Sequence, residues 1–191
     1  VDLRSEQLLE RHVGMELEGS SGWPALRLQL RDDGRCPFVE PDGCRVYDHR
    51  PTCCRIYPLG RAVAPGPDGP EEVFFAPDTP RCLGHDEPRT LTVREWIDDQ
   101  GLAPYREANN RYLELFMHPR RSRPMELTER QLHGLIMALY NIDVFRQAVQ
   151  TPGFAERFEI APGEVERALA ADEALLELGQ SWLTRQLFGD S

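Results

Sequence analysis

The distribution of cysteine constrains this chain more than any other sequence feature. Five cysteines occur, all in the first half of the 191 residues, at Cys36, Cys44, Cys53, Cys54 and Cys82. An odd number does not suit a framework of disulfides, and no charged segment followed by an apolar one indicates a signal peptide. The clustering therefore favours metal binding or thiol redox chemistry over disulfides, and the expected location is the cytoplasm.

Charge and hydropathy exclude two classes of partner. The net charge is −10, from 22 basic and 32 acidic residues, and a negative surface repels phosphate backbones, so no nucleic acid is expected as a partner. No apolar run approaches the roughly 18 residues of a membrane-spanning helix. A protein partner remains open, and no motif indicates the oligomeric state.

The character of the sequence changes near residue 88. We predict an α+β protein with a small, irregular, cysteine-rich, metal-binding module over residues 1–88 and a helical domain over residues 89–191. In the first part the patterns predict a helix over 5–13, a strand over 25–31, paired strands at 37–39 and 45–47, and a loop over 58–80 with one β-like run at 72–76.

The second part carries helical periodicity. A capping box, Thr92-x-x-Glu95, predicts a helix that stops near Gly101, and another helix is predicted over 105–117. Apolar residues at helical spacing then predict two buried stripes. The residues expected to form the core are Leu132, Leu135, Leu139, Ile142, Leu175, Leu178 and Trp182.

The spacing of the cysteines differs from the C-x2-C pairs of zinc fingers, so spacing alone is weak evidence for a metal site. Cys36, Cys44 and Cys54 each follow a turn signal, and loops can direct thiolates towards one centre. Thiolates suit zinc, copper(I) and iron–sulfur clusters. Further candidate ligands are Cys82 as a fourth sulfur, with His49 and His85 as substitutes. The alternative is that the cysteines are buried and bind no metal.

The segment from Cys36 to Pro58 reads Cys-Pro-Phe-Val-x4-Cys-Arg-Val-Tyr-x2-Arg-Pro-x2-Cys-Arg-Ile-Tyr-Pro. This pattern resembles the YkgJ-type cysteine-cluster family of zinc- or iron-chelating proteins, which takes its name from a C-x2-C-x2-C-C signature. The resemblance implies that Cys36, Cys44 and Cys54 are metal ligands, with Cys82 as the fourth. Cys53 falls on a variable position of the pattern, so the resemblance does not imply that it is a metal ligand.

The N-terminal C-x2-C-x2-C-C itself is missing from this sequence, since no cysteine precedes Cys36. Either those cysteines lie upstream of Val1, or this member lacks them, and a metal site that needs them would be incomplete here. Four sulfurs still suffice for one zinc ion or one iron–sulfur cluster, and the choice between these cofactors stays open.

Three functions remain open. The first is a bacterial metal-binding protein with an iron–sulfur cluster or zinc held by cysteine thiolates. The resemblance extends to the cysteine-rich part of flagellin lysine methylases, which implies a redox or protein-modification role; whether there is catalysis stays undecided. The second is an interaction protein without catalysis, in which zinc only crosslinks the loops. The third is a thiol–disulfide protein that uses Cys53 and Cys54.

Overall fold

A computed structural model describes residues 3–19, 22–66, 69–77, 82–121 and 125–189. Backbone contacts divide the chain into two compact units. The first unit combines Val1–Arg45 with His118–Ser191, and the second is Val46–Met117. The first unit thus joins the two ends of the chain.

The N-terminal part of the first unit contains one helix and two short hairpins. Helix α1 (Ser5–His12) leads directly into β1 (Val13–Leu17), which pairs with β2 (Pro24–Leu28) in antiparallel register. A second, smaller hairpin follows, formed by β3 (Val39–Glu40) and β4 (Gly43–Cys44). Strand β1 was not predicted, whereas α1, β2 and the place of the second hairpin agree with the sequence patterns.

The remainder of the first unit is helical, and its elements are α5 (Glu129–Leu139), α6 (Ile142–Gln150), α7 (Phe154–Arg157), α8 (Pro162–Ala170) and α9 (Asp172–Phe188). Leu135, Leu175 and Leu183 are almost fully buried between these helices. Helices α5 and α9 approach closely at Gly179, where an added Cβ would lie 2.7 Å from the carbonyl oxygen of Ala138. The two predicted stripes therefore do face a common core.

One predicted stripe is divided between two helices. Leu132 to Leu139 lie on α5, but Ile142 and Phe145 lie on α6, because the backbone leaves the helical conformation at Tyr140 and Asn141. The side chain of Asn141, the residue before α6, makes no capping hydrogen bond; its Oδ1 accepts from the hydroxyl of Ser5 at 3.0 Å. Leu132, Leu139 and Ile142 are only half-buried.

The second unit contains α2 (Thr52–Ile56), a hairpin of β5 (Gly60–Gly66) with β6 (Gly69–Phe75), α3 (Val93–Asp99) and α4 (Ala103–Phe116). Its core contains Ile56, Ile97 and Leu102, with Leu59 and Phe74 packed against them. The capping box at Thr92 is present, and Gly101 has the positive φ of 60° that ends such a helix.

The sequence patterns were wrong about part of residues 58–80. The proline- and glycine-rich segment expected to be a loop forms β5 instead, paired along its length with β6. Both strands of a two-stranded hairpin are edge strands, and an edge strand tolerates proline because the missing N–H need not face a partner. Pro67 and Pro80 lie outside the described residues.

Short antiparallel strand pairs and several helices make this an α+β protein, as predicted. The division into a metal-binding module over 1–88 and a helical domain over 89–191 stays a prediction. The two compact units are defined by backbone contacts, whereas the predicted division is one of function. In the parts of the chain described here, no helix is both long and apolar enough to cross a membrane.

Candidate metal centre

Cys36 and Cys44 lie on one local structure in the first unit. The amide of Val39 donates to the carbonyl oxygen of Cys36 at 3.2 Å, which closes a turn. Val39 is then the cross-strand partner of Cys44 in the β3–β4 hairpin. Both cysteines are half-buried, so the turn and the hairpin together bring two thiols to one short stretch of backbone.

Phe38 anchors this hairpin to the first unit. Its side chain is 6% exposed, and its ring centroid lies 4.9 Å from that of His12 in α1. The amide of Arg45 donates to the carbonyl oxygen of Phe38 at 3.1 Å, and the Arg45 guanidinium carbon lies 5.8 Å from the Phe38 ring centroid. The aromatic residue of the Cys-Pro-Phe-Val motif is therefore a core residue.

Cys53 and Cys54 lie on α2 in the second unit, and both are exposed. Ile56, two residues after Cys54, is buried in the core of this unit. The indole N–H of Trp96 donates to the carbonyl oxygen of Ile56 at 3.0 Å, which ties the end of α2 to α3. As with Cys36 and Phe38, a cysteine is followed at the second position by a buried apolar anchor.

Two arginines hold the segment around α2. Arg50 Nε donates to the carbonyl oxygen of Tyr47 at 2.7 Å, and its guanidinium carbon lies 3.5 Å from the Tyr47 ring centroid. Arg55 Nε donates to the carbonyl oxygen of Arg50 at 3.0 Å. Both hydrogen bonds go to backbone carbonyl oxygens and so organise the backbone around α2.

Cys82 lies in the second unit, at the residue that precedes a short 3-10 helix, Leu83–Asp86. Its side chain is half-buried. Of the two candidate substitute ligands, His49 is exposed at the end of another 3-10 helix, Tyr47–His49. The backbone of His85 belongs to the helix after Cys82.

The five cysteines are all described and are thiols rather than disulfides. Within the described ranges, no group of three or more histidine, cysteine, aspartate or glutamate side chains is arranged to hold a metal ion. The donor chemistry of the thiols suits zinc or iron, but a preassembled ligand group is not present in that part of the chain. The ligand set Cys36, Cys44, Cys54 and Cys82 therefore stays a prediction.

Sequence reasoning missed the anchoring residues of the cysteine segments. Phe38 and Ile56 carry a signal that could have identified them, since each is the apolar residue two positions after a cysteine of the motif. No comparable signal identifies the contact of Arg55 with Gln100, because the two residues are 45 positions apart along the chain.

Comparison with known proteins agrees with the sequence pattern. Residues 4–83 match the model of the CxxCxxCC family, described as a "putative zinc- or iron-chelating domain". This part of the chain is thus similar to the CxxCxxCC family, which confirms the resemblance and supports metal binding in general. No curated protein and no solved structure matches the chain.

Proposed function

We propose that this protein binds zinc or iron through cysteine thiolates, with Cys36, Cys44, Cys54 and Cys82 as the ligands. The observation that carries the proposal is the family match over residues 4–83, the segment that contains every cysteine of the chain. Thiolate sulfur is a preferred ligand of both zinc and iron–sulfur clusters. We expect the protein to work in the cytoplasm, where thiols stay reduced.

The local structure of the cysteine segments supports this proposal. Cys36 and Cys44 come from one turn and hairpin, and Cys54 is exposed beside the buried anchor Ile56. Metal binding of this kind is coupled to folding, so ligands need not be assembled before the metal arrives. The role of the buried anchors Phe38 and Ile56 is to fix the backbone from which the thiols project.

Two uses of such a site differ in chemistry. An iron–sulfur cluster would supply electron transfer, which agrees with a redox or protein-modification role, whereas zinc would supply a structural crosslink, which agrees with an interaction protein. Visible absorption distinguishes them, because protein prepared without oxygen is coloured with an iron–sulfur cluster and colourless with zinc.

The test is the metal content of the full-length protein, prepared anaerobically. Cys53 and Cys54 form a matched pair, since both are exposed on α2. We expect Cys54→Ser to weaken metal binding by orders of magnitude, because one of four ligands is lost. Cys53→Ser should leave the metal content nearly unchanged. The opposite ranking would overturn the ligand assignment.

A thiol–disulfide function is the second candidate, and the exposure of both adjacent thiols on α2 favours it. In that case Cys53→Ser and Cys54→Ser should abolish reductase activity equally and leave metal content unaffected. Equal and large losses of metal would instead indicate that both sulfurs are ligands.

A further inference from the structure

The first unit contains a groove that lies between helices α5, α7 and α9 and includes none of the cysteines. Its volume is about 540 Å³, within the range of sites that bind small molecules. Its apolar wall is formed by Met137, Phe154, Phe158 and Trp182. The metal proposal assigns no role to this groove.

Close packing fixes the aromatic wall. The ring centroid of Trp182 lies 5.5 Å from that of Phe158 and 6.2 Å from that of Phe154. Trp182 is only 7% exposed, and its ring lies against α5 at Gly134, where an added Cβ would be 3.2 Å from the indole. Because these rings support one another, the wall is formed before any ligand binds.

The charged side chains among the described lining residues of the groove are positive. Arg130 on α5 and Arg157 on α7 line it, together with His133, and no aspartate or glutamate appears among its described lining residues. Both arginines are exposed, and within the described ranges neither forms a salt bridge. In a chain of net charge −10 this is a local excess of positive charge beside an apolar surface.

We propose that the groove binds a small amphipathic anion, an apolar monocarboxylate. The apolar body would lie against Phe158 and Trp182, and the carboxylate would face Arg130 and Arg157. Burial of apolar surface supplies the affinity, while complementary charge supplies the preference for an anion over a neutral molecule of the same shape.

The test uses dodecanoate below its micelle concentration, with dodecanol as the neutral probe of equal chain length. Binding to the full chain is followed by calorimetry at low salt, because salt screens exposed charges. We expect one dodecanoate per chain, bound more tightly than dodecanol. Arg157→Gln should weaken dodecanoate by about two- to fivefold, the size of one exposed ion pair, and leave dodecanol unchanged.

Arg167→Gln is the matched control, because Arg167 is exposed on α8 and is not among the residues that line the groove. It should leave the binding of both probes unchanged. Met137→Trp should fill the groove and abolish binding of both. Since Arg157 is exposed, its variant keeps the test valid even if the Met137 variant fails to fold.

Three results would overturn the proposal. The first is the absence of dodecanoate binding, and the second is equal binding of both probes with no effect of Arg157→Gln. The third is binding of an acidic amphipathic peptide that dodecanoate does not displace, which would make the groove a site for a protein partner.

Discussion

The guanidinium carbon of Arg55 lies 4.9 Å from the ring centroid of Tyr105, a cation–π distance. The same guanidinium donates to three carbonyl oxygens, those of Arg50 at 3.0 Å, Gln100 at 3.3 Å and Asp48. One side chain therefore joins α2, the segment before it and the end of α3. The conformation of α2 depends on this set of contacts.

Replacing Arg55 by lysine should destabilise the protein although the charge is kept. Lysine has a single nitrogen and cannot reproduce the fork that reaches several carbonyl oxygens. We expect the free energy of unfolding to fall by about 1–3 kcal/mol, measured by urea denaturation. Arg94→Lys, at an exposed position on α3, should change it by less than about 0.5 kcal/mol. Equal midpoints for the two variants would contradict the role given to Arg55.

Glu72 on β6 pairs with Arg61 on β5 and with Arg106 on α4. Its carboxylate oxygens lie 3.0 Å from Arg61 Nη2 and 2.8 Å from Arg106 Nη2, and the side chains of Glu72 and Arg61 are only 16% and 10% exposed. The hydrogen bond from Arg61 is the main cause that holds the pKa of Glu72 below its usual 4.5; burial opposes it, and Arg106 adds to the lowering. Since the folded pKa is lower than the unfolded one, this stabilisation is complete above about pH 4.5 and is lost as the pH falls through the folded value.

Glu72→Gln should therefore lower the free energy of unfolding at pH 7. It should also make that free energy depend less on pH below about 4.5. We expect a loss of about 3 kcal/mol at pH 7, because two arginines lose their anionic partner in a largely buried site. The measurement is urea denaturation from pH 7 to below pH 4.5. Glu107→Gln is the control, because Glu107 pairs with Arg111 but is 75% exposed. If the free energy of unfolding of Glu72→Gln fell in acid as steeply as that of the parent protein, other carboxylates would govern the acid dependence.

How much of the fold could be predicted depends on whether a signal is local. Helix α9 follows from the regular spacing of Leu175, Leu178 and Trp182, since period alone identifies a buried stripe. The break at Asn141 is not visible in that spacing, because Ile142 continues the same period on the next helix. Strand β5 was missed because proline and glycine usually mark loops, and only its pairing with β6 makes it a strand.

In the candidate site, too, features with a local sequence signal could be predicted and features that depend on long-range packing could not. Turn signals before Cys36 and Cys44 are local, and the structure has a turn and a hairpin there. Two partners of Arg55, Gln100 and Tyr105, are distant along the chain, so these contacts depend on tertiary packing and leave no sequence pattern. The convergence of the cysteines on a metal also requires long-range geometry, and it stays a prediction.

Ser5 and Asp143 cap two helices reciprocally. The amide of Ser5 donates to Asp143 Oδ2 at 2.7 Å, and the amide of Asp143 donates to Ser5 Oγ at 3.1 Å, so the first turns of α1 and α6 satisfy each other. The backbone hydrogen bond from Ser5 is the main cause of the lowered pKa of Asp143. The partner of Asp143 therefore lies on α1.

A double-mutant cycle of Ser5→Ala and Asp143→Ala should give a coupling energy of about 1 kcal/mol, the usual size of a capping interaction. Unfolding by urea at pH 7 supplies the four free energies. Additive losses would mean that the two residues act independently. Glu166→Ala, at an exposed position on α8, should show no coupling to Ser5→Ala and serves as the control pair.

Two leucines on α5 differ in burial, so replacing each by alanine should lower the free energy of unfolding by different amounts. Leu135 is completely buried, so Leu135→Ala should lower the free energy of unfolding by about 2–5 kcal/mol. Leu139 is half-buried, so Leu139→Ala removes fewer contacts and should cost clearly less than Leu135→Ala. Thermal and urea unfolding of both variants check the order. A larger loss at Leu139 would mean that an additional partner covers that face of α5.

Metal binding should protect one thiol of the adjacent pair on α2 and leave the other reactive. In metal-free, reduced protein, both exposed thiols, Cys53 and Cys54, should be alkylated by iodoacetamide faster than half-buried Cys36 and Cys44. If Cys54 is a ligand, as proposed, its sulfur can no longer act as a nucleophile in metal-loaded protein, whereas Cys53 keeps its reactivity. Peptide mass spectrometry after a short exposure measures both rates in the same sample. Removal of the metal by a chelator should restore alkylation at Cys54, and protection of Cys53 instead would reverse the proposed assignment.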